Sequence, residues 1–275
     1  MTDSTAYIPI ELSEKFNIHI IPLSVIFDNV SYQEEIDLTT AEFYQKVKES
    51  NELPTTSQPP VGVILEKLEE LAKDYDSVIS IHLSSGISGT YQAVVSAGKM
   101  VEGIEVYAFD SEVSAMPQGF YALEAAEMAL QGKSPTEILK SLKQMKNKIR
   151  AYFMVDNLTN LQRGGRLSNA QALIGGLLHI KPVLHFVDKV IVPFEKIRTR
   201  KKAINRIISM LEKDASLGGI TKVVFIHGND EQSAIELRND FRKKYPTIET
   251  MISYFGPVIG THLGEGAIGV SWYAK

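Results

Sequence analysis

The chain contains no cysteine. That excludes disulfides, thiol nucleophiles and cysteine-based zinc sites, and it fits a reducing cytosol. No apolar run reaches the ~18 residues a membrane span requires, so stable membrane insertion is not expected. The start, Met1-Thr-Asp-Ser-Thr5, has neither the basic flank nor the apolar core of a signal peptide. The net charge is −4 and no basic block stands out, which argues against nucleic acid or an anionic membrane as partner. Several catalytic signatures are missing too. There is no His-Glu-x-x-His pair, no Gly-x-x-x-x-Gly-Lys-Ser/Thr loop, and no Gly-x-Gly-x-x-Gly following a strand. Ser88 lies in Gly86-Ile-Ser-Gly89-Thr90, one position out of register with a nucleophile elbow. The expectation is a cytoplasmic protein without catalytic residues, metal or cofactor.

What is present is ordinary globular material. The chain has 275 residues, 44% apolar and 23% charged, enough for one large domain or two smaller ones. Two polar stretches stand out, Leu53-Pro-Thr-Thr-Ser-Gln-Pro-Pro60 and Leu83-Ser-Ser-Gly-Ile-Ser-Gly-Thr-Tyr-Gln92. The second follows the apolar run Val78-Ile-Ser-Ile81 and precedes helical apolar spacing, so it is expected on a strand-to-helix turn. Such a turn can aim backbone N–H groups and a positive helix end at an anion. Ser84, Ser85, Ser88 and Thr90 would add hydroxyl donors. In the first stretch Thr55, Thr56 and Ser57 sit between prolines on a stiffened loop. The alternative is an N-cap plus an ordinary turn.

Through the first half, strand-like and helical segments alternate. Thr39 with Glu42, and Ser134-Pro-Thr-Glu137, carry helix-start signatures. Strands near 78–83 and 104–109 are separated by helices, which implies βαβ units, a parallel sheet and a ligand beyond the strands' carboxyl ends. The second half differs. The pattern predicts a short helix ending at Gly164-Gly165, and an apolar helix from Ser168 to Ile180 that is buried or lines an apolar cavity. A hairpin across Asp188-Lys189, a basic helix from Arg198 and a glycine-rich loop at 256–266 follow. A change of domain is expected near 155, giving domains 1–155 and 156–275.

His19, His82, His185 and His227 lie within or beside strands and are read as structural; His179 ends the apolar helix. His262, between Gly260 and Gly264, is read as standing in a mobile loop of the kind that carries function. Arg198 and Arg200 open a helix, where a cation opposes the macrodipole, and this suggests a nearby anion.

Five stretches together resemble the DegV family, the bacterial fatty-acid-binding proteins that include the FakB-type binding subunit of fatty acid kinase. They are Thr2-Asp-Ser-Thr-Ala6, Leu53-Pro-Thr-Thr-Ser-Gln-Pro59, the Leu83–Gln92 stretch, Leu161-Gln-Arg-Gly-Gly-Arg-Leu-Ser168 and Gly256-Pro-Val-Ile-Gly-Thr-His-Leu-Gly264, in family order. The resemblance implies two α/β domains, the first with a mainly parallel sheet, and a ligand between them. It implies a long-chain fatty acid such as palmitate, stearate or oleate, with its carboxylate on Thr56, Ser57, Ser88, Gly89, Arg198 and His262. Ile174, Leu177 and Leu178 of the apolar helix would line the acyl chain. It further implies a monomeric binding subunit, not an enzyme, that presents the acid to a separate fatty acid kinase. The resulting acyl phosphate would feed phospholipid synthesis. Two departures stand out. Family members open on an apolar strand where Met1 stands here, so a start placed too late is expected, and the usual Lys of Lys-Gly-Gly-Arg is Arg163. A phosphosugar isomerase-like enzyme is the alternative, since the Ser-Gly turn also resembles sugar-phosphate loops; a transcriptional regulator would need a basic recognition helix.

Overall fold

The computed structural model describes residues 1–50, 52–167 and 180–274. The apolar helix expected from Ser168, with Ile174, Leu177, Leu178 and His179, lies outside the described residues.

The fold is α/β with two main sheets. The first is parallel throughout, in the order Ile20–Ile21, Thr2–Asp3, Ser77–His82, Glu105–Asp110. Helices Val61–Leu71, Thr90–Gly98 and Met116–Leu130 connect and cover it. The second is six-stranded, in the order Val190–Glu195, Val183–Val187, Ile149–Met154, Ile268–Ala274, Ile220–His227, Glu249–Tyr254. Its neighbours run antiparallel except for the parallel pair Ile220–His227 and Glu249–Tyr254. Strand pairing carries the chain into this sheet at Ile149, ahead of the boundary expected at 155/156. We call the two halves the first and second lobes.

Local chemistry explains many of the elements. Thr39 and Ser134 each form a reciprocal capping box with the glutamate three residues on, Glu42 and Glu137, opening helices Thr40–Glu49 and Pro135–Met145. Asp188 and Lys189 both have positive φ, at 46° and 74°, as a two-residue hairpin turn matching strand twist demands.

The polar pair Thr2-Asp3 holds an inner position of the parallel sheet. Two expectations change. The 54–60 segment is not all loop: Thr55–Ser57 pairs antiparallel with Ser24–Phe27, Thr56 opposite Val25. The glycine-rich segment near the C-terminus is a helix, Pro257–Leu263, most of it buried, and not a mobile loop. Its glycines permit close packing: a Cβ at Gly260 would collide with Phe43 and Tyr44 of the first lobe. The largest apolar core runs through both lobes, joining Phe43 and Phe120 to Leu184 and Phe255.

Candidate functional site

A cavity of about 290 Å³ lies between the lobes. The strand pairing of Thr55–Ser57 brings Thr56, Ser57 and Gln58 to one side of it, and the turn after Ser77–His82 brings Ser88 and Gly89. The Pro257–Leu263 helix supplies His262, and the residue after the Gly164-Gly165 turn supplies Arg166. The rest of the wall is mostly apolar, with Leu83 and Ala115 from the first lobe and Phe153, Phe186, Phe255 and Ile259 from the second. The face of the second sheet thus makes much of the apolar wall.

The polar end is built from both lobes. Thr56 Oγ1 lies 2.8 Å from His262 Nε2. Nδ1 of the same ring is buried with no hydrogen-bond partner among the described residues. Burial, with the Arg166 charge second, pulls the imidazole down to about 4, so the ring is neutral near pH 7. A Cβ on Gly164 would strike this ring, which gives the Gly-Gly turn a steric reason as well as a helix-stopping one. Arg166 is half-buried. Its Nε donates to Ile87 O at 3.1 Å and its Nη1 to Gly164 O at 2.5 Å, which fixes the guanidinium between the lobes. Ser88 Oγ is 2.9 Å from Thr90 Oγ1 and accepts from Thr90 N at 3.3 Å.

Of the residues expected to hold a carboxylate, the fold assembles Thr56, Ser57, Ser88, Gly89 and His262 around one cavity. Arg198 does not join them. It is exposed, ahead of the Arg200–Leu217 helix, and does not line the cavity. The anion inferred from the cations at that helix start is the protein's own: Arg200 pairs with Asp230 at 2.5 Å and Asp156 at 3.5 Å.

The Ser-Gly turn is also less of an anion cradle than its composition suggests. Ser85 N and Oγ both donate to Asp110, at 3.1 and 2.6 Å, and the N–H groups of Ile87 and Ser88 donate to Ser84 O. Ser84 Oγ donates to Lys189 O in the hairpin of the other lobe, and Gly86 packs against that same carbonyl. The first half of the motif is therefore a latch between lobes. Ser88 is the hydroxyl left facing the cavity.

Three contributors were missed by sequence reasoning. Arg166 was noted beside the Gly-Gly turn but not assigned to the site. Gln58 stands beside Ser57 in the Leu53–Pro60 stretch but is not one of its hydroxyls, and Ser114 gives no signal, because nothing in its neighbourhood marks a cavity wall. Ala115, next to Ser114, has φ 58° and opens the Met116–Leu130 helix in a conformation unusual for a side chain with a Cβ.

Arg166, a neutral imidazole and the Thr56 and Ser88 hydroxyls in a cavity that is otherwise mostly apolar can bind a small anion carrying a long apolar body. Among the described residues no group of His, Asp or Glu could hold a metal ion, and no helix is long and apolar enough to cross a membrane.

Comparison with known proteins points the same way. The family model described as "Uncharacterised protein, DegV family" matches residues 1–275. Protein DegV of Bacillus subtilis is 58% identical over 276 residues, spanning 100% of this chain and 98% of that protein. A crystal structure of DegV, a fatty acid binding protein from Bacillus subtilis, superposes with a TM-score of 0.95 at 58% identity, covering 100% of this chain and 98% of that one. A structure showing fatty acid binding of a DegV family protein from Thermus thermophilus gives a TM-score of 0.91 at 30% identity, covering 100% and 98%.

Proposed function

The chain belongs to the DegV family, and from that premise we propose that it binds a long-chain fatty acid between its lobes. The carboxylate rests on Thr56, Ser57, Ser88, Gly89, Arg166 and His262, and the acyl chain follows the aromatic wall of the second sheet. One observation carries this reading: hydroxyls, an imidazole and a guanidinium from both lobes gather at one end of a cavity that is otherwise mostly apolar. Each buried methylene contributes about 0.8 kcal/mol, so the chain supplies most of the affinity. The charged head supplies register. A phosphosugar has no use for walls made by Phe153, Phe186 and Phe255. We therefore set the isomerase alternative aside.

The protein acts as a binding subunit and not as an enzyme. It holds the acid with the carboxylate fixed, in the cytoplasm, for a separate fatty acid kinase that forms the acyl phosphate used in phospholipid synthesis. The family resemblance and the missing nucleotide motif support this finer role. Fixing the carboxylate matters because phosphoryl transfer depends on positioning.

The test is native mass spectrometry of the purified protein before and after adding palmitate, stearate or oleate. The expected mass is that of a one-to-one complex. Apo protein throughout, with no uptake of any of the three, refutes the binding role. Acyl phosphate formed by this chain alone from ATP and bound acid refutes the non-enzymatic one.

A further inference from the structure

The Pro257–Leu263 helix delivers His262 to Thr56, yet it does not cap itself. Its N-cap is Gly256, which has no side chain, and Pro257 has no N–H to satisfy. Gly260 N is taken by Gly256 O at 2.7 Å. That leaves the N–H groups of Val258 and Ile259 as orphan donors, buried and in need of partners. Both partners come from the first lobe. Val258 N donates to Glu34 Oε2 at 3.0 Å, and Ile259 N donates to Tyr7 Oη at 3.2 Å. Tyr7 Oη donates in turn to the same Glu34 oxygen at 3.1 Å.

Glu34 is only 1% exposed. Its other oxygen bonds the Ser4 hydroxyl, which itself accepts from Leu23 N at 2.9 Å. The carboxyl group is thus tied to the segment that follows the Thr2–Asp3 strand in the first lobe. The flanks of the helix are set by packing: Gly256 against the Tyr7 ring, and Gly260 against Phe43 and Tyr44. Flank packing of this kind leaves sliding along the axis and rotation about it. The hydrogen bonds to Val258 and Ile259 remove both. His262 is four residues beyond Val258, one turn along the same face.

We propose that Glu34 is a positioning residue for His262: it caps the Pro257–Leu263 helix from the opposite lobe and thereby sets where the imidazole meets Thr56 and the ligand's head group. The second half of this statement rests on the fatty-acid reading of the cavity. The first half, the placement of His262, does not. Burial pushes the Glu34 carboxyl up to about 8, so near neutral pH it carries a proton, with one oxygen free to accept and one O–H to donate. Glutamine reproduces that pattern, and leucine removes it with little change of volume.

The experiment compares wild type, Glu34→Gln, Glu34→Leu, His262→Ala and the pair Glu34→Leu/His262→Ala. Palmitate affinity is measured by calorimetry, and the His262 ring signals by NMR of the ligand-free protein. Glu34→Leu should move the His262 signals and weaken palmitate binding about tenfold, the effect of losing the His262 contact to the charged head group. Glu34→Gln should leave both close to wild type. In the His262→Ala background, Glu34→Leu should cost little more, because both act through one group. Folded Glu34→Leu with wild-type His262 signals overturns the proposal. So does an affinity loss of the same size with and without His262, which would mean a general packing role. Should Glu34→Leu not fold, Tyr7→Phe removes the acceptor of Ile259 N, keeps the ring, and is read by the same two measurements. Should wild type bind no palmitate, the fatty-acid reading fails, and the His262 signals alone decide the positioning claim.

Discussion

In the parallel sheet, His82 is enclosed on all sides, with Asp3 Oδ2 at 2.9 Å from Nδ1 and Ser80 Oγ at 2.5 Å from Nε2. In the Pro257–Leu263 helix, His262 has Thr56 on Nε2 and no described partner on Nδ1, and it faces the cavity. Asp3, His82 and Ser80 resemble a catalytic triad in type and spacing, yet each is 0% exposed and no substrate can reach them. Asp3 also accepts from Thr5 Oγ1 at 2.6 Å and Leu83 N at 3.0 Å. Burial would raise the Asp3 carboxyl, but the bonds from His82, Thr5 and Leu83 hold it below its usual range. The contrast separates two uses of a buried polar group. A satisfied network specifies a core; a half-satisfied one beside a cavity is poised for a ligand.

The largest expected effect tests the first half of that contrast. His82→Leu leaves Asp3 buried beside an apolar group, and removing one partner of a buried pair costs roughly 3–5 kcal/mol. Chemical denaturation should show that loss, while palmitate affinity of the folded fraction stays at the wild-type value. A lowered affinity at unchanged stability would place His82 in the site and erase the distinction.

His262→Ala should do the reverse. Palmitate binding should weaken by about ten- to a hundred-fold, as expected for a contact to a charged group, with a small change in stability. Unchanged binding by calorimetry would return His262 to the core.

Thr56→Ala and Ser88→Ala should each weaken binding about tenfold. If both hydroxyls hold one carboxylate, as proposed, the double variant should lose less than the product of the two. Full additivity would mean they touch different groups. If the chain serves a fatty acid kinase as proposed, turnover by that kinase should fall further than affinity, because a retained but misplaced carboxylate reacts poorly.

The two lobes should also differ in how stability responds to pH. His262 is depressed to about 4 by burial and by Arg166, so the unfolded chain binds its proton first. The stability it contributes is present above about 6.5 and is lost as pH falls through about 4. Glu34 has the opposite sign. Its carboxyl is raised to about 8, so its contribution is fully present below about 4.5 and is lost as pH rises through about 8. Denaturation midpoints against pH should therefore show His262→Ala flattening the acid limb and Glu34→Gln flattening the decline toward pH 8. If both variants simply shift the whole curve, neither group titrates as its burial requires.

The smallest effect is expected from Arg198→Ala. The side chain is exposed and away from the cavity, so palmitate affinity should match wild type. A tenfold loss would show that Arg198 reaches the head group when ligand is present, and that the sequence-based assignment was correct.

Much of this chain could be read without coordinates, and the readable parts share a cause. The capping boxes at Thr39 and Ser134, the hairpin turn at Asp188-Lys189 and the alternation of strand and helix all depend on residues within a few positions of one another. Thr56, Ser88 and His262, which line the cavity, are legible as candidates because their family motifs are short and local. What needed the tertiary structure was decided at a distance. Whether Ser84 faces a ligand or a carbonyl depends on Lys189, 105 residues away. Thr55–Ser57 is too short to show a strand period and becomes a strand only because Ser24–Phe27 lies beside it. Nothing local says which of Arg166 and Arg198 enters the cleft; the Gly164-Gly165 turn carries the first into it, and the start of the Arg200–Leu217 helix leaves the second exposed. Glu34 looks like any surface glutamate in Gln33-Glu-Glu-Ile36, and it is buried only because a helix 224 residues later has no cap of its own. Local backbone chemistry determined the elements and the candidate head-group residues. Which of those residues face the cavity, and which hold the lobes together, was decided by where distant backbone donors and acceptors had to find partners once water was excluded.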